Sequence, residues 1–224
     1  MAARTIADAD DYWNRYYHDT FIPGLGTEHI LAALRQVPPR DLWLDLGAGS
    51  ESLLWSVALD AHQLVAVDLD PLRLTLLRRY ATSRRPRGAH QTALALCARD
   101  AGDFARRCER LTATIVADCL TGQPLPLHAG CADLITQIGL LGLAGGHEQF
   151  LAAWTAAHQP LAPGGWTAGA NWNATRADGR VRLSAELYAA AFSSSGLTAQ
   201  LLRRVPISGD PDFDAVWIYL GRRP

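Results

Sequence analysis
Two glycines, one aspartate and a cluster of aromatic rings are the residues whose types and spacing could do chemistry in this sequence. In "WLDLGAGSES", Gly47 and Gly49 follow an apolar run, and only residues without a β-carbon let a chain bend that sharply against a ligand. Asp68 ends the next apolar run, 21 residues after Gly47. At that separation a carboxylate can accept hydrogen bonds from both hydroxyls of a ribose. A pyrophosphate site would want a third glycine ahead of a helix N-terminus, whereas here Ser50, Glu51 and Ser52 follow, and Glu51 would repel a diphosphate. The ligand implied is a nucleoside without phosphates, better still one with a cationic portion. Upstream, "DYWNRYYHDT" at 11–20 holds Tyr12, Trp13, Tyr16 and Tyr17, whose i, i+4 pairs lie on adjoining stripes of a helix. Aromatic faces attract a poorly hydrated cation by roughly 0.5–2 kcal/mol.

The elements that must position these residues alternate along the chain. Runs 42–47 and 63–68 are short, apolar and β-rich, and each leads into a helical pattern, over 51–60 and 71–81. Pro71 suits a first helical turn, and Leu72, Leu76 and Tyr80 repeat at i, i+4, i+8. Further strands are expected at 113–118, 133–138, 166–171, 197–205 and 214–221, with helices at 147–158 and near 184–195. "LAPGGW" at 161–166 reads as a Pro and Gly-Gly stop ahead of the strand from Trp166 to Asn171. The last two strands are joined without a helix and so should be antiparallel neighbours. The pattern predicts one α/β domain over 1–224: a seven-stranded, mostly parallel sheet with helices on both faces, an antiparallel final strand and an N-terminal helical cap over 1–40. The segment 82–112, where "ARDAGDFARRCERL" looks helical, is expected to be an insertion covering the sheet's edge.

Bulk properties exclude several functions. The net charge is −1 and all 21 basic residues are arginines, so there is no lysine to form a Schiff base or hold a phosphate. No basic rim or recognition module points to nucleic acid. Cys97, Cys108, Cys119 and Cys131 are eleven to twelve residues apart and form no metal-binding cluster, so no metal is expected. No apolar run has the length of a membrane span, no signal peptide is expected at the start, and a cytoplasmic protein without an obligate protein partner follows as the expectation.

Beyond these readings, the sequence resembles class I S-adenosylmethionine-dependent methyltransferases, and more narrowly the small-molecule family of nicotinamide, phenylethanolamine and thioether methyltransferases. The resemblance runs from Asp11 through "DYxxxYY" at 11–17, "LDLGAGS" at 44–50, "VDLDP" at 67–71, "ADCLTGQPLP" at 117–126, "ADLITQ" at 132–137 and "LAPGGW" at 161–166. It implies a Rossmann-like fold and small-molecule methylation of the kind found in specialised metabolism. It implies S-adenosyl-L-methionine as cofactor, with S-adenosyl-L-homocysteine as product. By this resemblance, the tyrosine-bearing helix closes over the cofactor, Tyr12 lines the substrate chamber and Tyr17 reaches the methionine carboxylate. Gly47 and Gly49 pass under the methionine and ribose, Asp68 binds the ribose hydroxyls, Asp118 with Cys119 meets the adenine, Arg73 flanks it, and Ile138 offers packing and backbone groups.

The departures bear on the substrate. Where the amine and pyridine methyltransferases of this family carry carboxylates after strands four and five, this sequence has Gly142 and Asn171. A protonated amine would lose its counter-charge there, at a cost of several kcal/mol in a dry pocket. A flat, neutral heteroaromatic acceptor is expected instead, methylated at nitrogen, with Asn171 giving directed hydrogen bonds and Trp172 and Tyr12 giving ring faces. Such an acceptor needs no base, and none of His18, His29, His128 and His147 is assigned as one. Methylation at oxygen or carbon, a cofactor-binding protein without methyl transfer, and a nicotinamide-dependent oxidoreductase remain as alternative readings.

Overall fold
The computed structural model describes residues 5–18, 21, 24–176 and 179–224, and for Asp8, Ala9 and Tyr12 the backbone alone. Seven strands form one sheet: β1 (Arg40–Leu46), β2 (Ala61–Asp68), β3 (Leu111–Val116), β4 (Ala132–Ile138), β5 (Leu161–Ala174), β6 (Thr198–Pro206) and β7 (Phe213–Arg222). Their order is β3-β2-β1-β4-β5-β7-β6. The first five strands run parallel, while β7 lies antiparallel between β5 and β6. The chain reverses after β1 toward β2 and returns after β3 to β4, so β1 and β4 flank the point where the order switches. In open α/β sheets, ligands bind at that point, outside the strands' carboxyl ends.

The helices are α1 (Ile6–Tyr17), α2 (Thr27–Leu34), α3 (Ser52–Ser56), α4 (Pro71–Ser83), α5 (Ala89–Leu96), α6 (Ala101–Glu109), α7 (His147–His158) and α8 (Ala185–Ser194). Strand alternation sends Trp43, Leu64, Ala66 and Leu134 into the core shared with α1 to α6. Leu44, Leu46, Val67 and Ile135 face the opposite core, shared with α7 and α8. With both faces covered, the central strands carry near-continuous apolar runs, which is why they were conspicuous in the sequence. Among the described residues no helix is long and apolar enough to cross a membrane.

Local chemistry explains where α4 and α6 begin. Asp70 caps α4 by accepting the Leu72 amide hydrogen at 3.0 Å, with Pro71 in the first turn. Asp100 and Asp103 form a reciprocal capping box at the start of α6. Two expectations are corrected. Segment 82–112 does not cover the sheet's edge: Ala89, Ala93, Leu94, Phe104 and Cys108 enter the core beneath α2, α3 and α4. Buried Arg107 fastens it there by donating to the carbonyls of Ser56 and Leu59, at 2.6 and 3.0 Å. Nor is "LAPGGW" a turn ahead of the strand. Pairing begins at Ala132↔Leu161 and resumes at Leu134↔Trp166, so it is a bulge inside β5, with Gly164 at φ 75°.

Candidate active site
The carboxyl ends of β1, β2, β3 and β4 open into a chamber of about 490 Å³, within the usual range for small-molecule sites. Its floor is the turn after β1. Gly47 has φ 65°, and a β-carbon there would lie 2.8 Å from that of Leu140; Gly49 has φ 53°, and its β-carbon would meet a Glu51 carboxyl oxygen at 2.2 Å. Both glycines are therefore required by backbone conformation, and Gly47 by the space beside the Leu140 β-carbon as well. Asp68 holds the turn, accepting the Gly49 amide hydrogen through Oδ2 and that of Asp70 through Oδ1, each at 2.8 Å.

Two more carboxyls stand at this end. Asp45 is buried and accepts from the Ser52 and Thr136 hydroxyls, at 2.6 Å each, while Thr136 in turn accepts from the Trp43 indole. Burial pushes the Asp45 carboxyl up to about 6, against the pull of those hydroxyls. Glu51, also buried, accepts from the Ser50 hydroxyl, and burial pushes it up to about 7. A carboxyl with a raised folded value is most favourable when protonated, so its cost to the fold appears as pH rises through that value. Asp45→Asn is accordingly expected to raise the melting temperature of the ligand-free protein at pH 8. The gain should reflect on the order of 2–3 kcal/mol and shrink toward pH 5, as read by calorimetry at both pH values.

The roof comes from the N-terminal segment. Tyr16, Tyr17 and Phe21 line the chamber, while Trp13 points away from it into the core, with ring centroids 5.4 Å from Tyr17, 5.5 Å from Tyr80 and 4.6 Å from His90. Asp10 of α1 accepts from Arg87 at 2.9 Å and from the Tyr80 hydroxyl, and the Arg87 guanidinium lies 3.8 Å from the Tyr80 ring centroid. Gly88 lets the end of α1 approach: a β-carbon there would overlap the Tyr17 and His18 carbonyl oxygens at 2.2 and 1.9 Å.

Of the residues singled out in the sequence, Tyr17, Gly47, Asp68, Arg73, Asp118, Cys119, Ile138 and Trp172 all line this one chamber. Gly49 does not; it stands behind the lining, donating to Asp68. The Arg73 guanidinium reaches across to the Gly49–Glu51 corner. The Tyr12 side chain lies outside the described residues. Asn171 is a correction: it is fully buried and does not line the chamber. Its amide oxygen accepts from the Gly142 amide at 2.8 Å and its amide nitrogen donates to the Tyr188 hydroxyl at 2.9 Å. Gly142 and Asn171 are thus bonded to each other, and neither brings a charge to that wall. Trp172 presents its ring while its indole nitrogen donates to the Leu25 carbonyl at 2.8 Å, tying the sheet to the cap. Sequence reasoning missed Leu25, Leu143, Arg180, Asp210 and Phe213 on the outer wall. Apart from Leu143, which follows β4, they come from three loops and from the first residue of β7, far apart in sequence, which only the sheet brings together. No histidine is among the lining residues.

No protein-family model matches the sequence, and no curated protein does. Solved structures do match. The N-methyltransferase NodS from Bradyrhizobium japonicum WM9, in complex with S-adenosyl-L-homocysteine, is 15% identical, with a TM-score of 0.60 over 88% of this chain and 85% of that one. Geranyl diphosphate C-methyltransferase from Streptomyces coelicolor A3(2) is 12% identical, with a TM-score of 0.61 over 100% and 94%. The [4+2]-cyclase SpnF is 12% identical, with a TM-score of 0.63 over 100% and 98%. At these identities the likeness is one of architecture, and the chain has the Rossmann-like fold of the S-adenosylmethionine-dependent methyltransferases.

Proposed function
We propose that this protein transfers a methyl group from S-adenosyl-L-methionine to a small, neutral heteroaromatic acceptor, at nitrogen. The observation that carries the reading is the division of one chamber into two chemically different ends. The end at the glycine turn holds Gly47, Asp68, Arg73 and Asp118, while the roof and outer wall are mainly aromatic and apolar, with Tyr16, Tyr17, Phe21, Leu25 and Trp172 beside one arginine and one aspartate, Arg180 and Asp210.

The residues fit the cofactor. The turn bends through two glycines in the left-handed conformation, Asp68 can accept from a diol while keeping its amide hydrogen bonds, and Leu69, Cys119 and Ile138 give an apolar slot for a purine beside Asp118. The bound cofactor would supply an electrophilic methyl group on a sulfonium. The chain's own part is to exclude water and hold the acceptor in line, which is worth more to such a displacement than a strong base. Cys119 offers no thiolate, because burial pushes its thiol up to about 12. An acceptor nitrogen with a free lone pair needs none.

Radiolabelled or deuterated methyl donor, offered with a panel of ring-nitrogen heteroaromatics and of protonated amines, should label the former. Preferential labelling of the amines would overturn the neutral-acceptor reading. Trp172→Ala should lower kcat/KM for the acceptor by about tenfold while the affinity for S-adenosylhomocysteine changes less than about threefold, as expected for a group that touches only one partner. Equal losses would place that ring on the cofactor. A second reading is cofactor binding without methyl transfer, since the same architecture occurs in a [4+2]-cyclase; tight cofactor binding with no labelled product from any acceptor would support it.

A further inference from the structure
Glu51 has no role in the reading above, yet it is the residue most closely fitted to the turn. It is 8% exposed, lines the chamber, and places one carboxyl oxygen in the space that a Gly49 β-carbon would fill. The Gly49 amide on the other side is held by Asp68. The Glu51 and Asp68 carboxyls therefore flank one glycine at the same end of the chamber. We propose that Glu51 is a second carboxylate of the nucleoside subsite, sharing the ribose hydroxyls with Asp68, and that it binds in its ionised form, so that cofactor capture expels a proton. The inference rests on the cofactor reading proposed above.

The surroundings make the proton labile. In the free protein, burial holds the Glu51 carboxyl up at about 7, and the Asp68 carboxyl from β2 adds to this. Three groups oppose them: the Ser50 hydroxyl, the Ser50 amide and the Arg73 guanidinium from α4. The Tyr80 hydroxyl on α4 feels the Glu51 charge as well, and Asp45 of β1 lines the same chamber. Hydroxyl donors from a ribose, and a cationic ligand beside them, favour the charged form, and Arg73 is at hand to balance a second negative charge. The proton leaves Glu51 for solvent as the ligand hydroxyls take its place. The sign follows: affinity rises with pH below about 7 and levels above it, by about tenfold at most between pH 6 and 8 for a single group.

The test is titration calorimetry of the whole chain with S-adenosylhomocysteine at pH 6.5, in two buffers of different ionisation heat, with Kd followed from pH 6 to 8.5. The wild type should release more than about half a proton per ligand bound. Glu51→Gln, which keeps the size and the hydrogen bond to Ser50, should release close to none and bind with a pH-independent affinity. Binding without proton release, proton uptake, or undiminished release by the glutamine variant would overturn the inference while leaving the cofactor reading intact; the last would move the proton to Asp45. Failure of the wild type to bind at any pH would remove both. The proton count on the wild type decides the matter even if the variant folds poorly.

Discussion

Asp68→Ala is expected to weaken binding of S-adenosylhomocysteine by at least about 100-fold, equivalent to about 2.7 kcal/mol. The size follows from how much the one side chain does. It accepts two backbone amides at 2.8 Å, one of which belongs to Gly49, and so sets the shape of the turn as well as offering its remaining lone pairs to a ligand. Hydrogen bonds to a charged group are each worth about 1.5–3 kcal/mol, and alanine removes them together. The ligand-free fold should suffer less, because it loses only the two amide hydrogen bonds and none of the ligand contacts. Asp68→Asn separates the contributions: the amide keeps one acceptor oxygen and loses the charge, so its loss should be intermediate. An alanine variant that binds within threefold of the wild type, measured by calorimetry, would take the ribose assignment away from this residue.

The second large effect belongs to a residue that touches no ligand. Trp13 is completely buried, and truncating a buried tryptophan to alanine costs about 3–5 kcal/mol. Its indole nitrogen has no hydrogen-bond partner among the described residues, so the loss is one of packing against Tyr17, Tyr80 and His90. Because those contacts dock α1 against α4 and α5, the loss should fall first on the roof. In Trp13→Ala, α1 amides should exchange with deuterium far faster while those of β1 and β4 are little changed. Affinity for S-adenosylhomocysteine should drop by about tenfold or more as Tyr17 loses its support. Trp13→Phe should recover most of both. Unchanged exchange in α1 would show that the Asp10–Arg87–Tyr80 contacts suffice to hold it.

The same helix shows how sequence and structure divide the information. Spacing placed its aromatic residues on adjoining stripes, but helical periodicity describes a face without naming what it packs against. Trp13 turned to the core and Tyr16 and Tyr17 to the chamber because α4 and α5 stand on one side only. Similarly, the helical look of "ARDAGDFARRCERL" was plain, whereas its seat in the core depends on Arg107 finding carbonyls 48 and 51 residues away. Asn171 was misassigned for a related reason. It was placed in the right strand, although β5 runs on past it to Ala174, and its polarity was taken up by Gly142 and Tyr188, partners that no local pattern reveals.

Residue types and their order along the chain were enough to establish the alternation of strands and helices, the glycine turn, the acidic end of β2 and the absence of lysine, since these depend on local conformational preference and on composition. The three-dimensional packing alone decided that Leu25, Trp172, Arg180 and Phe213 share a wall, that Asn171 is withdrawn from it, and that Glu51 is pressed against Gly49. Such outcomes depend on contacts between segments far apart in sequence, and on the desolvation that only a closed core imposes.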